Sequence, residues 1–334
     1  MQLRNFLFIF ILCFGLACNS DSVDDALELI DGVDRKPIDT TRMGLNAFSN
    51  QTFAGSACAQ FSDIKNTLGL SYVRILFNWD DNVQANPSDG LDFSFYDSII
   101  DCIPSGMDAL IILTNVPSWM NNSSNWIASN PRFTFVERWV KPVVDRYKSV
   151  RKIIGYQIWN EPNNLDFAEN YTIDVIDQPV NFVELVSFGY DAIRSIDSNK
   201  IVLNGATTSI AQNFPATLNY NKDLILAGIE TVVDRFAIHY YGTNFERLVE
   251  DVDDFLNTIR PSIWVTESGK QGVDQQLAYV EQVWPFLRER VPNVDRIYYY
   301  RYAEDTSPAT TFGLRNPNSG LSVSDLYIHL RDRE

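Results

Sequence analysis

The stretch IIGYQIWNEP (residues 153–162) begins as an apolar strand and ends in an amide, a carboxylate and a proline. Its run of Ile, Tyr and Trp is typical of a strand that is buried on both faces, as in a parallel sheet. A strand that only had to pack could end in any turn sequence. We therefore expect this strand to carry Asn160 and Glu161 into a cleft.

The same kind of pattern recurs along the rest of the chain. Short apolar runs alternate with helical patterns eight times after Arg42, without a break and without a second domain. Such alternation predicts parallel strands separated by helices, and eight units predict an α/β fold of the (β/α)8 type, a TIM barrel. The apolar runs are MGLNAF (43–48), YVRILF (72–77), ALIILT (109–114), IIGYQIW (153–159), IVLNGA (201–206), FAIHYY (236–241), IWVTE (263–267) and RIYYYRY (296–302).

An open, doubly wound sheet is the alternative architecture for this alternation. That fold normally carries a glycine-rich phosphate loop after its first strand. Here the first apolar run ends in Asn46, Ala47 and Phe48, and no such loop follows. The sequence therefore predicts one (β/α)8 domain over residues 41–334.

The amino-terminal 40 residues do not follow the strand–helix pattern. A positively charged start and the apolar run of residues 6–16 are typical of a secretion signal that is too short to span a bilayer. The sequence Gly15-Leu16-Ala17-Cys18 resembles a bacterial lipoprotein cleavage site, although its first residue is usually aliphatic rather than glycine. We predict a signal peptide over residues 1–17, lipidation of Cys18 and an acidic linker over residues 18–40. Cleavage without lipidation and an uncleaved anchor are the alternatives.

The net charge and the predicted lipid anchor indicate which kinds of partner the protein can bind. At a formal charge of −16 the surface repels the phosphate backbone of nucleic acids. We expect a monomer that contacts the membrane only through a lipid anchor. Its predicted location is the bacterial outer membrane or cell surface, with the periplasm or the medium as the alternative.

Two cysteines, Cys58 and Cys102, remain after those of the predicted signal and lipidation site. Export permits a disulfide between them. They lie on neighbouring predicted helices, but the sequence does not give the distance that decides whether they pair. The sequence is compatible both with a disulfide and with two buried thiols.

Two carboxylates end predicted strands on the same face of the barrel. Glu161 follows the fourth apolar run, and Glu267 ends the seventh within SIWVTESG (262–269). The carboxyl ends of all barrel strands open into one mouth, so these side chains face each other across it. A facing pair of carboxylates is the minimum equipment for glycoside hydrolysis. The alternative is that Glu161 caps a turn and Glu267 pairs with an arginine.

The surroundings of both residues resemble the clan A glycoside hydrolases, which include cellulases, xylanases, mannanases and β-xylosidases. IWNEPN (158–163) resembles the fourth-strand motif of that clan and IWVTESG (263–269) its seventh-strand motif, and the resemblance covers residues 42–330. It implies a single (β/α)8 catalytic domain and a retaining mechanism. It also implies that Glu161 is the acid/base and Glu267 the nucleophile.

Four further residues match positions of this clan. The resemblance implies that Asn160 hydrogen-bonds the sugar 2-hydroxyl and that Arg74 holds the nucleophile ionised. It also implies that Tyr241 hydrogen-bonds the nucleophile and that His239 positions the acid/base or the sugar. The alternatives are a surface salt bridge for Arg74 and a structural role for His239.

Two departures from the clan pattern leave the substrate open. Many members carry a histidine after strand three, where LTNVPSW (113–119) has none. Many also carry a tryptophan platform at the end of strand eight, where this chain has a tyrosine-rich run. We expect Tyr300, Tyr302 or Arg301 to take the place of that tryptophan. Family-39-type β-xylosidases and cellulase-like enzymes are both plausible neighbours.

Aromatic residues of the predicted loops are candidates for sugar-binding subsites, because sugar rings stack on exposed aromatic faces. Trp79, Trp119 and Trp126 follow strands two and three, and loop packing is the alternative for each. Long loops after strands two, three, four and eight predict an open groove and endo-cleavage. A loop of residues 303–321 that closes one end of the groove would instead predict exo-cleavage.

The predicted function is retaining hydrolysis of β-glycosidic bonds in a polysaccharide or oligosaccharide. An exo-acting β-glycosidase, a transglycosylase and a non-catalytic glycan-binding lipoprotein are the alternatives. The sequence has no His-Glu-x-x-His, Gly-x-Ser-x-Gly or Walker motif, so other chemistries are disfavoured and we expect no metal or cofactor. An acid/base that works near neutral pH needs a pKa raised to about 6, which we expect for Glu161.

Overall fold

Parallel strands close into an eight-stranded barrel within residues 33–242 and 251–333, the part of the chain that this computed structural model describes. Each strand pairs with the next along the chain, and the first pairs with the last. The predicted (β/α)8 fold is thereby confirmed. In chain order the strands are β1 (Met43–Asn46), β2 (Tyr72–Asn78), β3 (Asp108–Thr114), β4 (Ile153–Ile158), β5 (Ile201–Asn204), β6 (Arg235–His239), β7 (Ser262–Ser268) and β8 (Val294–Tyr299).

Helices follow the strands and pack on the outside of the barrel by one apolar face. The longest of those described buries Phe182, Leu185, Val186 and Gly189, whose spacing of three and four residues places them on one side. The sequence also predicts a helix over residues 245–259, and its first part, residues 245–250, lies outside the described residues. The described α-helices are α1 (Ala57–Ser62), α2 (Ser94–Cys102), α3 (Pro131–Phe135), α4 (Lys141–Tyr147), α5 (Ala168–Thr172), α6 (Pro179–Ile196), α7 (Ala216–Leu226), α8 (Asp253–Leu256), α9 (Gln276–Arg290) and α10 (Asp325–Asp332).

Side chains fill the barrel and close its base. The guanidinium of Arg296 lies 3.5 Å from the ring centre of Tyr72 and 4.4 Å from that of Trp264. Gly44 admits the ring of Tyr298, because a Cβ at this position would lie 2.2 Å from that ring. Tyr72, Trp264 and Arg296 lie in the amino-terminal halves of their strands, so their stack fills that end of the barrel.

Residues 33–40, predicted as part of a linker, pack against the barrel instead. Lys36 donates its backbone N–H to the carbonyl of Glu281 at 2.9 Å, and its ammonium group lies 2.8 Å from the carboxylate of Glu289 on α9. Ile38 is partly buried against the apolar core. Part of the segment predicted as a linker is thus tied to α9 by hydrogen bonds and an ion pair.

The signal and lipidation predictions concern residues that the structure does not describe. The signal peptide over residues 1–17, Cys18 and the first part of the linker lie outside the described residues. Within residues 33–242 and 251–333, no helix combines the length and the apolar character needed to cross a membrane.

Cys58 and Cys102 form a disulfide, with their Cα atoms 4.5 Å apart. The bond joins α1 to α2 across a sequence separation of 44 residues. Of the two arrangements that the sequence left open, the structure has the disulfide.

Candidate active site

Glu161 is carried on a bent segment at the carboxyl end of β4. Trp159 and Glu161 have φ angles of 75° and 42°, which are uncommon for residues other than glycine. Backbone bonds hold the bend, because Trp159 donates its N–H to the carbonyl of Leu113 and Glu161 donates to that of Ala206, each at 2.8 Å. The bend therefore has a fixed geometry at the barrel mouth.

Trp159 explains why this strand ends in such a sequence. Its indole is fully buried and donates to Asn170 Oδ1 at 2.7 Å. Asn170 donates in turn to the backbone carbonyl of Glu161 at 2.8 Å. The tryptophan thus anchors the segment from outside the barrel, while Asn160 and Glu161 line the mouth.

Glu267 lies within β7, and donors hold both of its carboxylate oxygens. Arg74 of β2 donates from Nη1 to Oε1 at 2.7 Å, and the hydroxyl of Tyr241 donates to Oε2 at 2.8 Å. The side chain of Arg74 is only 1% exposed, so its pairing with Glu267 is a buried ion pair. A surface salt bridge, the alternative for Arg74, is thereby excluded. A buried pair of this kind requires further hydrogen bonds to offset the loss of water.

The other donors of the Arg74 guanidinium bind three side-chain amides. Nε donates to Gln157 at 2.8 Å, Nη1 also donates to Asn46 at 2.8 Å, and Nη2 donates to Asn160 at 3.1 Å. Sequence reasoning missed Asn46 and Gln157. Both are amides inside otherwise apolar strands, and this contrast is the signal that identifies them.

His239 lies between the two carboxylates and is fully buried. Its Nδ1 is 3.0 Å from Glu161 Oε1, and its Nε2 is 3.6 Å from Glu267 Oε1. One carboxylate oxygen of Glu161 lies within 4.8 Å of one of Glu267. Asn164, which sequence reasoning also missed, donates to Glu161 Oε2 at 2.8 Å.

The pKa of Glu161 lies below its usual range, not above it. Burial is the largest single influence and raises the pKa of this carboxyl group. The hydrogen bond and charge of His239, with smaller contributions from Asn164 and Arg74, outweigh burial and lower that pKa. The prediction of a raised pKa is wrong because His239 contacts Glu161 directly.

A cavity of about 290 Å³ in the barrel mouth is lined by five of these site residues, Arg74, Asn160, Glu161, Tyr241 and Glu267. His239 is buried behind its wall. Of the three candidates for the strand-eight position, Tyr300 lines this cavity. Tyr302 is buried and donates its hydroxyl to Asp63 at 2.9 Å, away from the cavity. Arg301 lies outside the cavity wall, with its guanidinium 5.1 Å from the ring centre of Phe48.

The sequence matches the family model described as "Cellulase (glycosyl hydrolase family 5)" over residues 34–300. The chain belongs to glycosyl hydrolase family 5. It is therefore a glycoside hydrolase of clan A, as the two strand-end motifs predicted. A search of curated protein sequences finds no match.

Solved structures of other glycoside hydrolases share this fold. A family 39 glycoside hydrolase from the gut symbiont Bacteroides cellulosilyticus WH2 aligns with a TM-score of 0.63 at 14% identity, over 89% of this chain and 63% of that one. The endo-1,4-beta-mannanase of Rhizomucor miehei aligns with a TM-score of 0.59 at 17% identity, over 90% and 97% of the two chains. Endoglucanase Cel5A of Thermotoga maritima aligns with a TM-score of 0.58 at 18% identity, over 87% and 97%. At such identities the likeness shows the fold alone.

The tryptophans proposed as subsite walls of this family 5 enzyme lie elsewhere. Trp79 is fully buried, so its prediction as a stacking face is wrong. Trp119 and Trp126 are half-buried, donate their indole N–H groups to backbone carbonyls, and do not line the catalytic cavity. Phe48 and Phe167, which sequence reasoning missed, do line it.

Glu161, His239 and Glu267 are also the one group among the described residues whose ligand atoms lie close enough together to hold a metal ion. The guanidinium of Arg74, 2.7 Å from Glu267 Oε1, opposes a second cation at this place. That this family 5 enzyme needs no metal or cofactor stays a prediction.

Proposed function

We propose that this enzyme is a retaining, endo-acting hydrolase of a β-linked polysaccharide, with Glu161 as acid/base and Glu267 as nucleophile. The separation of their oxygens, within 4.8 Å, carries the proposal. A nucleophilic carboxylate needs a separation of about 5–5.5 Å, whereas an inverting pair needs about 6.5–9.5 Å to admit a water. The spacing therefore supports direct attack on the sugar.

The reaction then proceeds in two displacements. Glu267 attacks the anomeric carbon and forms a glycosyl ester, while Glu161 gives a proton to the glycosidic oxygen that departs with the bonding electron pair. Glu161 next takes a proton from water, and the water oxygen attacks the anomeric carbon and releases Glu267 as a carboxylate. Arg74 and Tyr241 keep Glu267 in place through both steps.

The proton for the first step is shared between Glu161 and His239. A hydrogen bond between Oε1 and Nδ1, 3.0 Å apart, requires one proton on one of these atoms. The proton of this hydrogen bond is the one that Glu161 gives in the first step. The lowered pKa of Glu161 suits its second role as a base.

The fold of the loop of residues 303–321 supports the endo mode. A backbone bond from Gly272 to this loop pins it beside the loop after β7. Its Phe312 packs on the rings of Tyr241 and Tyr300, with centroids 5.5 and 5.8 Å apart, and the loop contributes no residue to the cavity wall. The loop therefore supports the cavity wall from behind and does not form the cap that exo-cleavage requires.

A panel of β-glucan, β-mannan and β-xylan substrates tests the proposal. We expect one of them to release mixed oligosaccharides with a rapid fall in viscosity, and proton NMR to show the β-anomer first. Monosaccharide alone from the first minutes would reject endo action. The α-anomer as first product would reject the retaining mechanism, and glycan binding without any hydrolysis would favour the non-catalytic alternative.

We also propose, from the sequence, that the enzyme is exported and anchored through Cys18. A fatty acid label should appear in the wild-type protein expressed in a bacterium and be lost in Cys18→Ala. An unlabelled wild-type protein recovered from the periplasm or medium would support cleavage without lipidation.

A further inference from the structure

We propose that the base of the barrel is a docking surface for an anionic phospholipid membrane. This inference goes beyond the proposed function and does not depend on the assignment of the catalytic carboxylates. The base is the end opposite the catalytic cavity, where the helices end and the strands begin. It comprises residues 37–43, 65–72, 101–108, 148–153, 197–201, 230–235, 257–262, 288–296 and 330–333.

The base is positively charged, although the chain as a whole is acidic. Its segments carry thirteen lysines and arginines against nine carboxylates, whereas the formal charge of the whole chain is −16. The acidic residues are therefore concentrated on the rest of the molecule. Such an asymmetry orients a protein at a charged surface, with its positive end toward the negative charge.

Most of the described cations that lack an ion-pair partner lie in the base. Elsewhere among the described residues, only Arg138, Lys222 and Lys270 lack such a partner. The unpaired carboxylates of the base, Asp39, Asp101 and Asp108, are fewer than its unpaired cations. The unpaired cations of the base are Lys65, Arg151, Lys152, Arg235, Arg288, Arg296 and Arg333.

Stabilisation of helix ends explains only some of these cations. Arg288 and Arg333 lie at the carboxyl ends of α9 and α10, where a positive charge complements the helix dipole. Arg235 and Arg296 lie instead in β6 and β8, and Arg151 lies in the loop before β4. Nε of Arg235, and Nε and Nη1 of Arg296, have no hydrogen-bond partner among the described residues. No described carboxylate therefore neutralises these guanidinium groups.

Neighbouring cations also crowd one another at the base. Arg288 donates a hydrogen bond to the backbone carbonyl of Arg42 at 3.3 Å. Burial and then the charge of Arg42 lower the pKa of Arg288 to about 10, and Asp39 and Asp295 oppose this only in part. Arg288 thus remains protonated at neutral pH next to a like charge, and an anionic surface would offset that repulsion.

A recess of about 640 Å³ gives the base a place for a phosphate headgroup. Three cations, Lys148, Arg151 and Lys200, belong to its wall, and Asp197 is the one carboxylate there. Lys200 is nearly buried and lies 3.6 Å from Asp197, so these two charges offset each other. Lys148 and Arg151 are exposed at the rim, where they can contact lipid phosphates.

The predicted anchor at Cys18 would hold the base within reach of the membrane. Val33 lies beside the middle of α9, where its carbonyl accepts a hydrogen bond from Gln282. The intervening residues 19–32 can span up to about 45–50 Å. Charges act on a membrane only within a Debye length of about 8–10 Å, so a docked protein presents its base rather than its net charge. The catalytic cavity then faces away from the membrane, toward an incoming glycan.

Fluorescence quenching on tethered protein tests the docking. The chain from residue 19 onward, which retains every described residue, carries an amino-terminal histidine tag that binds vesicles containing a nickel-chelating lipid. An environment-sensitive dye is attached to Asn199→Cys in the recess or to Ser307→Cys at the opposite end of the barrel, since Cys58 and Cys102 are closed in a disulfide. A quencher on the lipid headgroups reports which end lies near the membrane.

We expect the dye at position 199 to be quenched at least about twofold more strongly on vesicles with phosphatidylglycerol than on neutral vesicles of phosphatidylcholine. The difference should vanish at about 1 M salt, where the Debye length is about 3 Å. Lys148→Glu with Arg151→Glu should abolish it. Lys222→Glu with Lys270→Glu is the matched control, because it makes the same change in net charge outside the base, and it should keep the difference.

Equal quenching on anionic and neutral vesicles, or stronger quenching at position 307 than at position 199, would overturn the docking surface. A loss of the difference in both charge variants alike would show an effect of net charge rather than of the base. The histidine tag supplies the tether, so the test does not depend on lipidation of Cys18.

Discussion

The two carboxylates of the site are held by different kinds of partner. Glu267 contacts a permanent cation and a tyrosine hydroxyl, whereas Glu161 contacts a histidine and an amide. An arginine keeps its charge at every physiological pH, but a histidine can exchange a proton. This difference suits a nucleophile that acts as an anion and an acid/base that gives and takes a proton.

Glu161→Gln and Glu267→Gln should each remove most of the hydrolysis of the polysaccharide. We expect losses of at least about 100-fold in kcat, because a positioned acid/base alone contributes about 100- to 10,000-fold. Glutamine is nearly the same shape, so we expect both variants to fold. The melting temperature of Glu161→Gln should stay close to that of the wild type, whereas that of Glu267→Gln should fall because the buried Arg74 loses its countercharge.

Glu289→Gln is the control for those two substitutions, since the side chain of Glu289 is 63% exposed on the outer helix. It should retain wild-type activity. Wild-type rates in both site variants would show that the catalytic carboxylates have been assigned wrongly.

His239→Asn should raise the pKa of Glu161. Burial raises this pKa, and the hydrogen bond and charge of His239 are the main influences that oppose it. Without the histidine the protonated form of Glu161 persists to higher pH, so the alkaline limb of kcat/KM should move upward while the maximal rate falls. A pH profile on a soluble oligosaccharide measures this shift. A limb that stays in place or moves to lower pH would contradict the assigned role of the contact.

The sequence predicted those site residues whose position in the barrel follows from strand geometry alone. Asn160, His239 and Tyr241 end strands or follow strand ends, and all strand ends of a barrel share one mouth. Arg74 reaches the same site from the third residue of β2. The burial of Trp79 depends on the path of a loop, which no pattern of residues encodes. The direction of the Glu161 pKa shift depends on a single 3.0 Å contact.

Strands and helices could be located from the sequence because they leave different patterns. A strand buried on both faces gives a near-continuous apolar run, whereas a helix buried on one face gives apolar residues three and four positions apart. The docking of residues 33–40 was not predicted, since that segment has too few apolar residues to form a pattern. The disulfide could not be decided because it depends on a distance between two helices.

The disulfide between α1 and α2 should stabilise the fold. A cross-link across 44 residues contributes about 4 kcal/mol in the chain-entropy view. We expect Cys58→Ser with Cys102→Ser to lower the free energy of unfolding in urea by up to this amount, and wild-type protein under reducing conditions to show the same loss. An unchanged free energy of unfolding in both cases would contradict a structural role for the bond.

Two truncations compare the contribution of residues 19–32 to stability with that of residues 33–40, which contact the barrel. Deletion of residues 19–32 should leave the melting temperature unchanged, whereas deletion of residues 19–40 removes the contacts of Lys36 and Ile38. The second truncation should lower the melting temperature by about 2–4 °C for each kcal/mol lost. Equal melting temperatures for the two truncated proteins would show that residues 33–40 add no stability.

At the scale of the whole molecule, the base of the barrel is closed and the opposite face carries all the groups of the proposed site. The Arg296 stack fills the base, and the catalytic cavity lies at the opposite end of the barrel.

Covalent trapping tests the central claim that Glu267 is the nucleophile of a retaining reaction. The probe is an activated 2-deoxy-2-fluoro glycoside of the sugar that the polysaccharide panel identifies, which slows release of the glycosyl enzyme. Mass spectrometry of the digested protein should find the glycosyl mass on the peptide that contains Glu267. A label on Glu161 or any other residue, or slow turnover without a covalent adduct, would contradict the account.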